Sequence, residues 1–222
     1  VTFEELVPAE TEHAIFIGKN GCGKTFAASH LVPWIRQGSR VLRRRYVLAY
    51  DPKGLLDWHK TLGAVRVTTL KDCVKKANDP DKFPWIVYAP TADELRDAET
   101  HEAFFRLAYD RRNCTVYVDE VYAVCPRGSQ VYPPSLHSIL TRGREMNVEL
   151  IMSTQRPSKI PTECMSEAKR WYVFRLTMKD DRKKVSEMIP ADPESFDRLT
   201  RHHFYYYNDD EDGVRGPQKL GV

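Results

Sequence analysis

Eight residues near the start of the chain, Gly18-Lys19-Asn20-Gly21-Cys22-Gly23-Lys24-Thr25, restrict the possible folds more than anything else in its 222 residues. They read G-x-x-x-x-G-K-[ST]. A short apolar run, His13 to Ile17, precedes them, and a helical pattern from Lys24 to about Val32 follows and is closed by Pro33. A strand that turns through such a loop into a helix wraps successive backbone N–H groups around the β- and γ-phosphates of a nucleotide. The positive end of the helix dipole faces the same anion. Lys24 then adds a point charge, Thr25 offers a hydroxyl to Mg²⁺, a hard cation that prefers oxygen, and Cys22 is a small filler. Gly18 to Thr25 are the expected binding loop for ATP with Mg²⁺.

The rest of the chain continues that alternation. Runs rich in β-branched and aromatic residues at 46–50, 65–68, 85–89, 115–118, 148–153, 171–176 and 204–207 predict strands. Helical patterns lie at 70–77, 92–111, 135–146 and 181–188, and Thr91 with Glu94 has the spacing of a capping box for the third helix of the chain. Strands alternating with helices imply an α/β, three-layer architecture: a central, mostly parallel sheet with helices on both faces. The late tyrosine run, Tyr205 to Tyr207, is expected to form an antiparallel edge strand or hairpin. With 41% hydrophobic and 29% charged residues the chain should fold as one domain, 1–222, with a core at about 13–176 and a C-terminal strand and tail at 177–222. No apolar run approaches the ~18 residues of a membrane span, so a soluble, cytoplasmic protein is expected. Five cysteines without a C-x-x-C pair suit a reducing compartment and no zinc. The net charge of +3 does not argue for nucleic acid, although Arg36, Arg40 and Arg43 to Arg45 form one basic cluster and 169–184 another.

Two further strand ends carry chemistry. Thr115 to Val118 runs into Asp119-Glu120, and an acid at the end of a buried parallel strand lies where ligands bind in open α/β sheets. Asp119 is expected to hold Mg²⁺ through water, and Glu120 to orient or deprotonate an attacking water, which favours hydrolysis. Val148 to Ser153 runs into Thr154-Gln155-Arg156-Pro157. If this strand lies beside the phosphate-loop strand, Gln155 reaches the γ-phosphate; the expected order places it between the phosphate-loop strand and the Asp119 strand, the arrangement of P-loop ATPases with an added catalytic glutamate.

With these elements in place the sequence resembles the FtsK/HerA superfamily of ring-forming DNA translocases, and within it the small genome-packaging ATPases of double-stranded DNA viruses. The resemblance runs from Ile15 to about Leu176. Four motifs carry it: Gly18 to Thr25, Asp51-Pro52-Lys53-Gly54, Val118-Asp119-Glu120, and Thr141-Arg142-Gly143-Arg144 followed by Ser153 to Pro157. It implies a P-loop ATPase of the RecA/ASCE type that drives double-stranded DNA through a homo-oligomeric ring, a pentamer or hexamer. A capsid portal or vertex protein is an implied partner, and host cytoplasm or virion the implied location. It also implies that Arg142 or Arg144 acts in trans as an arginine finger on the neighbouring subunit's nucleotide. DNA contact is expected from the long loop Tyr122 to Pro134, with Arg127 its best single residue and Gly128 a flexible joint. The alternatives are a HerA-like cellular translocase or helicase motor, a P-loop kinase, and an ATP-gated assembly protein without productive turnover.

Overall fold

The computed structural model describes residues 1–125 and 132–220. Along the chain its strands are β1 (Ala14–Ile17), β2 (Trp34–Gln37), β3 (Arg40–Arg43), β4 (Val47–Tyr50), β5 (Val65–Val67), β6 (Trp85–Tyr88), β7 (Cys114–Val118), β8 (Val148–Thr154), β9 (Arg170–Val173), β10 (His203–Asn208) and β11 (Arg215–Lys219). The helices are α1 (Phe3–Leu6), α2 (Lys24–Leu31), α3 (Trp58–Thr61), α4 (Leu70–Ala77), α5 (Ala98–Arg111), α6 (Pro134–Met146), α7 (Glu163–Ser166) and α8 (Lys179–Ser186).

Nine strands form one sheet in the order β11-β10-β9-β1-β8-β7-β4-β6-β5. From β9 to β5 every neighbouring pair is parallel. β10 and β11 add antiparallel strands at the β9 edge, as the tyrosine run predicts. Both faces of the central strands are covered, so β1, β4, β6, β7, β8 and β9 are buried throughout. Because alternate side chains point to opposite faces, one strand feeds two cores. Ile15 and Ile17 of β1 pack with Phe104 and Phe105 of α5 and Leu136 and Ile139 of α6. Ala14 and Phe16 pack on the other face with Ala27, Ala28 and Leu31 of α2 and Trp58 of α3. This is the expected three-layer arrangement, with β8 between β1 and β7 as the sequence suggested.

The short helices α1, α3 and α7 were not expected, and three larger features also differ from expectation. The long helix begins at Ala98 and not near Ala92: the reciprocal Thr91–Glu94 bonds form, but only a 3₁₀ turn, Glu94–Arg96, follows them. Asp97 then starts α5 by accepting from the Glu99 and Thr100 N–H groups. The hairpin of β2 and β3 was hidden because its strands are largely exposed and basic, with no alternating apolar signal. That hairpin and the residues after it place the Arg36 to Arg45 cluster near the amino edge of the sheet, where β4 begins. Arg44 is buried there, donating to Thr115 Oγ1 at 2.9 Å and paired with Glu149, so it is not an exposed cation for nucleic acid. Finally, β11 (Arg-Gly-Pro-Gln-Lys) shows no apolar pattern, because an edge strand needs none; its proline and charges disfavour further pairing.

Candidate active site

Parallel register brings the carboxyl ends of five strands, β1, β4, β7, β8 and β9, to one edge. Ile17 lies beside Thr154 and Val173, Val118 beside Met152 and Tyr50. The segments that follow, Gly18 to Thr25, Asp119-Glu120, Gln155 and Asp51 to Gly54, therefore converge although they are far apart in sequence.

The phosphate loop is stitched to both neighbours of β1. Gly18 N–H donates to Thr154 O at 3.1 Å, and Lys19 N–H to Arg175 O at 2.8 Å. Gly23 has φ +114°, a conformation that glycine alone adopts readily, and its carbonyl accepts the first helical bond of α2 from Ala27 N–H at 2.9 Å. Lys24 is buried, and its Nζ donates to Gly18 O at 2.6 Å and Lys19 O at 3.0 Å, so its charge is held within the loop. Burial lowers its pKa.

Asp119 is also buried, which pushes its pKa up to about 6. Its Oδ1 accepts from Tyr117 OH at 3.0 Å and lies 3.5 Å from Thr25 Oγ1. A hydroxyl and a carboxylate at this separation are a pair of hard oxygen donors, and that donor set suits Mg²⁺ completed by phosphate oxygens and water.

Glu120 is fixed from two sides. Its Oε1 accepts from Thr154 Oγ1 at 3.0 Å and from Gln155 N–H at 3.2 Å, while Oε2 is 3.1 Å from Lys53 Nζ. Lys53 is a site residue that motif reading noted but gave no role. The preceding Asp51 explains its placement: fully buried, it accepts from Leu55 N–H at 3.2 Å and Leu56 N–H at 2.8 Å and is faced by Arg66 at 3.7 Å. Gly54, with φ +67°, lets the chain fold back over these bonds. The Asp-Pro-Lys-Gly motif is thus a turn that presents a cation to Glu120. A lysine after a strand gives no such signal by itself, because its partner lies on another strand.

Gln155 is half-buried beside Glu120. Its neighbour Arg156 donates from Nε to Asp181 Oδ2 at 3.0 Å, and Asp181 also accepts from Ser158 N–H and Oγ, docking α8 on the end of β8.

The remaining site expectations fall elsewhere. Arg142 and Arg144 are exposed near the C-terminal end of α6, just before β8 begins, and therefore lie at the amino edge of the sheet, opposite the phosphate loop of their own chain. Gly143 between them is pressed against the Val148 carbonyl, where a Cβ would come within 2.5 Å, and against the His13 ring. Arg127 and Gly128 lie outside the described residues. No helix among the described residues is long and apolar enough to cross a membrane.

No protein-family model matches the chain. It is 26% identical over 217 residues to the DNA packaging ATPase P9 of Enterobacteria phage PRD1, covering 91% of this chain and 84% of that protein. In structure it is similar to the genome packaging NTPase B204 from Sulfolobus turreted icosahedral virus 2 in complex with AMPPCP, with a TM-score of 0.69, 16% identity, and coverage of 94% of this chain and 98% of that one. It is also similar to VirB4 of Thermoanaerobacter pseudethanolicus (TM-score 0.62, 11% identity, 94% and 90% covered) and to the bacterial conjugative coupling protein TrwBdeltaN70 (0.63, 11%, 93% and 84%). The fold is that of the P-loop NTPases.

Proposed function

We propose that this chain, which resembles the viral genome-packaging ATPases of the FtsK/HerA type in motifs, sequence and fold, is an ATP-hydrolysing motor that moves double-stranded DNA into a capsid. The observation that carries the reading is Glu120, a buried carboxylate at the end of a central strand, held at 3.0 and 3.2 Å by Thr154 and Gln155 beside a complete phosphate loop. A base so placed serves water as the acceptor of the phosphoryl group, which favours hydrolysis over transfer to a second substrate.

In this reading the loop amides and Lys24 bind the β- and γ-phosphates, and Thr25 and Asp119 hold Mg²⁺ with them. When bound, that ion neutralises charge on the phosphate oxygens. Glu120 orients the attacking water and takes its proton, Lys53 holds Glu120 in position, and Gln155 senses the γ-phosphate. Arg142 or Arg144 supplies charge in trans. Both stand at the sheet edge opposite their own phosphate loop, so either can act only on a neighbour's nucleotide, which ties catalysis to a ring. Double-stranded DNA and a portal or vertex protein of the capsid are the proposed partners.

The deciding measurement is multiple-turnover phosphate release with and without double-stranded DNA, alongside solution mass. Stimulated turnover by an oligomer is expected. Turnover that requires a small-molecule phosphoryl acceptor would favour a kinase, and nucleotide binding without turnover would favour an assembly protein.

A further inference from the structure

The turn that leads into β10 packs directly on the phosphate loop. His202 N–H donates to Cys22 O at 2.8 Å, and the imidazole lies so close to Gly23 that a Cβ there would meet Nδ1 at 2.8 Å. His202 takes φ +65°, the left-handed region, which a non-glycine residue occupies at a cost and which clusters at functional sites. Its buried Nδ1 has no hydrogen-bond partner among the described residues. The ring stands edge-on to Phe26 with centroids 4.9 Å apart, and His30 lies against Phe26 at 4.4 Å. Phe26 directly follows Thr25, yet it is 39% exposed. A strained, poorly satisfied histidine is a costly way to prop up an exposed aromatic ring if the ring has nothing to bind.

Position suggests the ligand. Asp119, Glu120 and Gln155 follow β7 and β8, on one side of β1, whereas the His202 turn leads into β10, beyond β9 on the other side. A nucleotide whose terminal phosphate points at the acids extends its nucleoside toward the opposite rim, where Phe26 stands. We propose that Phe26 is the stacking platform for the nucleobase, with His202 and His30 as positioning residues that hold its ring. This rests on reading Gly18 to Thr25 as the triphosphate site. Stacking engages the π-face and not the hydrogen-bonding edge of a base, so the platform takes nucleoside triphosphates with little preference between ATP and GTP.

The test is calorimetric titration of the full chain, in the presence of Mg²⁺, with ATP, GTP and inorganic tripolyphosphate. Phe26→Ala should weaken ATP and GTP by about 5- to 150-fold, the range found when a stacking aromatic is removed, and leave tripolyphosphate affinity within about twofold. His202→Gly accepts the left-handed backbone without strain and should weaken both nucleotides in the same selective way. Unchanged nucleotide affinity in Phe26→Ala, or an equal loss for tripolyphosphate, would overturn the platform while leaving the phosphate site standing. Wild-type protein that ignores tripolyphosphate, or a Lys24→Ala protein that still binds it, would overturn the phosphate site and the platform together.

Discussion

In the proposed reading Lys24 and Glu120 act at different stages, and their variants should separate binding from chemistry. Lys24 Nζ is hydrogen-bonded to two carbonyls of the loop itself, so Lys24→Ala should abolish detectable nucleotide binding and turnover in the same titration and phosphate-release assays. Glu120→Gln preserves shape and the bonds from Thr154 and Gln155, and should keep ATP affinity while lowering kcat by about 10²- to 10⁴-fold. Lys53→Met removes only the cation on Glu120 Oε2; turnover is expected to fall about tenfold with KM nearly unchanged, the mark of a positioning residue. Much of this site was legible before any fold was known, because the phosphate loop and the Asp119-Glu120 pair are contiguous motifs whose spacing carries their chemistry. Lys53 was not, since its role exists only against a carboxylate on a different strand.

At the scale of elements, His13 joins three of them. Its Nδ1 accepts from Leu150 N–H at 2.9 Å, and Nε2 lies 3.1 Å from Ile139 O and 3.2 Å from Leu140 O, so Nε2 carries the proton and a neutral ring links β1, β8 and α6. Burial lowers the pKa of this ring below its ordinary 6.5. Below pH 6.5 the unfolded chain takes up a proton that the folded one refuses, so stability falls as the pH drops, by at most about 1.4 kcal/mol per pH unit from this residue. Urea unfolding at pH 7.5 and 5.5 should show that loss, and His13→Gln, though less stable at both, should show a smaller difference between them. The start of α5 makes a second case. Both Thr91 and Asp97 satisfy capping rules, yet Asp97 caps the helix that buries Phe104 and Phe105, so Asp97→Ala should lower the Tm more than Thr91→Ala. Sequence spacing detected the first cap and could not rank it against the second, because the ranking depends on which turn packs against the sheet.

For the whole molecule, the separation of Arg142 and Arg144 from their own phosphate loop leads to a test by mixing. An Arg142→Ala or Arg144→Ala protein, inactive alone, is combined with Glu120→Gln under assembling conditions. Some interfaces then pair an intact Glu120 with an intact arginine, and hydrolysis should partly return, since an arginine finger contributes ~10³ to 10⁵ in rate. No recovery in rings shown to be mixed, or full activity from a monomer, would exclude a finger in trans. DNA binding should weaken as salt rises, and Arg127→Ala should weaken binding evenly across sequences while flattening that salt slope.

Local sequence determined the strand–loop–helix of the candidate phosphate site, the eight apolar strands and their α/β alternation, because backbone propensity, glycine conformations and burial periodicity act within a few residues. The place of β8 between β1 and β7 was expected only by analogy with P-loop ATPases that carry an added catalytic glutamate, and the observed strand order agrees with it. Tertiary structure alone decided which distant side chains meet at the carboxyl edge: Lys53 on Glu120, and His202 on Gly23 beside Phe26. It also carried Arg142 and Arg144 to the far edge and buried Arg44 out of reach of DNA. The physical reason is that a parallel sheet aligns strand ends by hydrogen-bond register and crossover packing, and neither is written within any single segment of the chain.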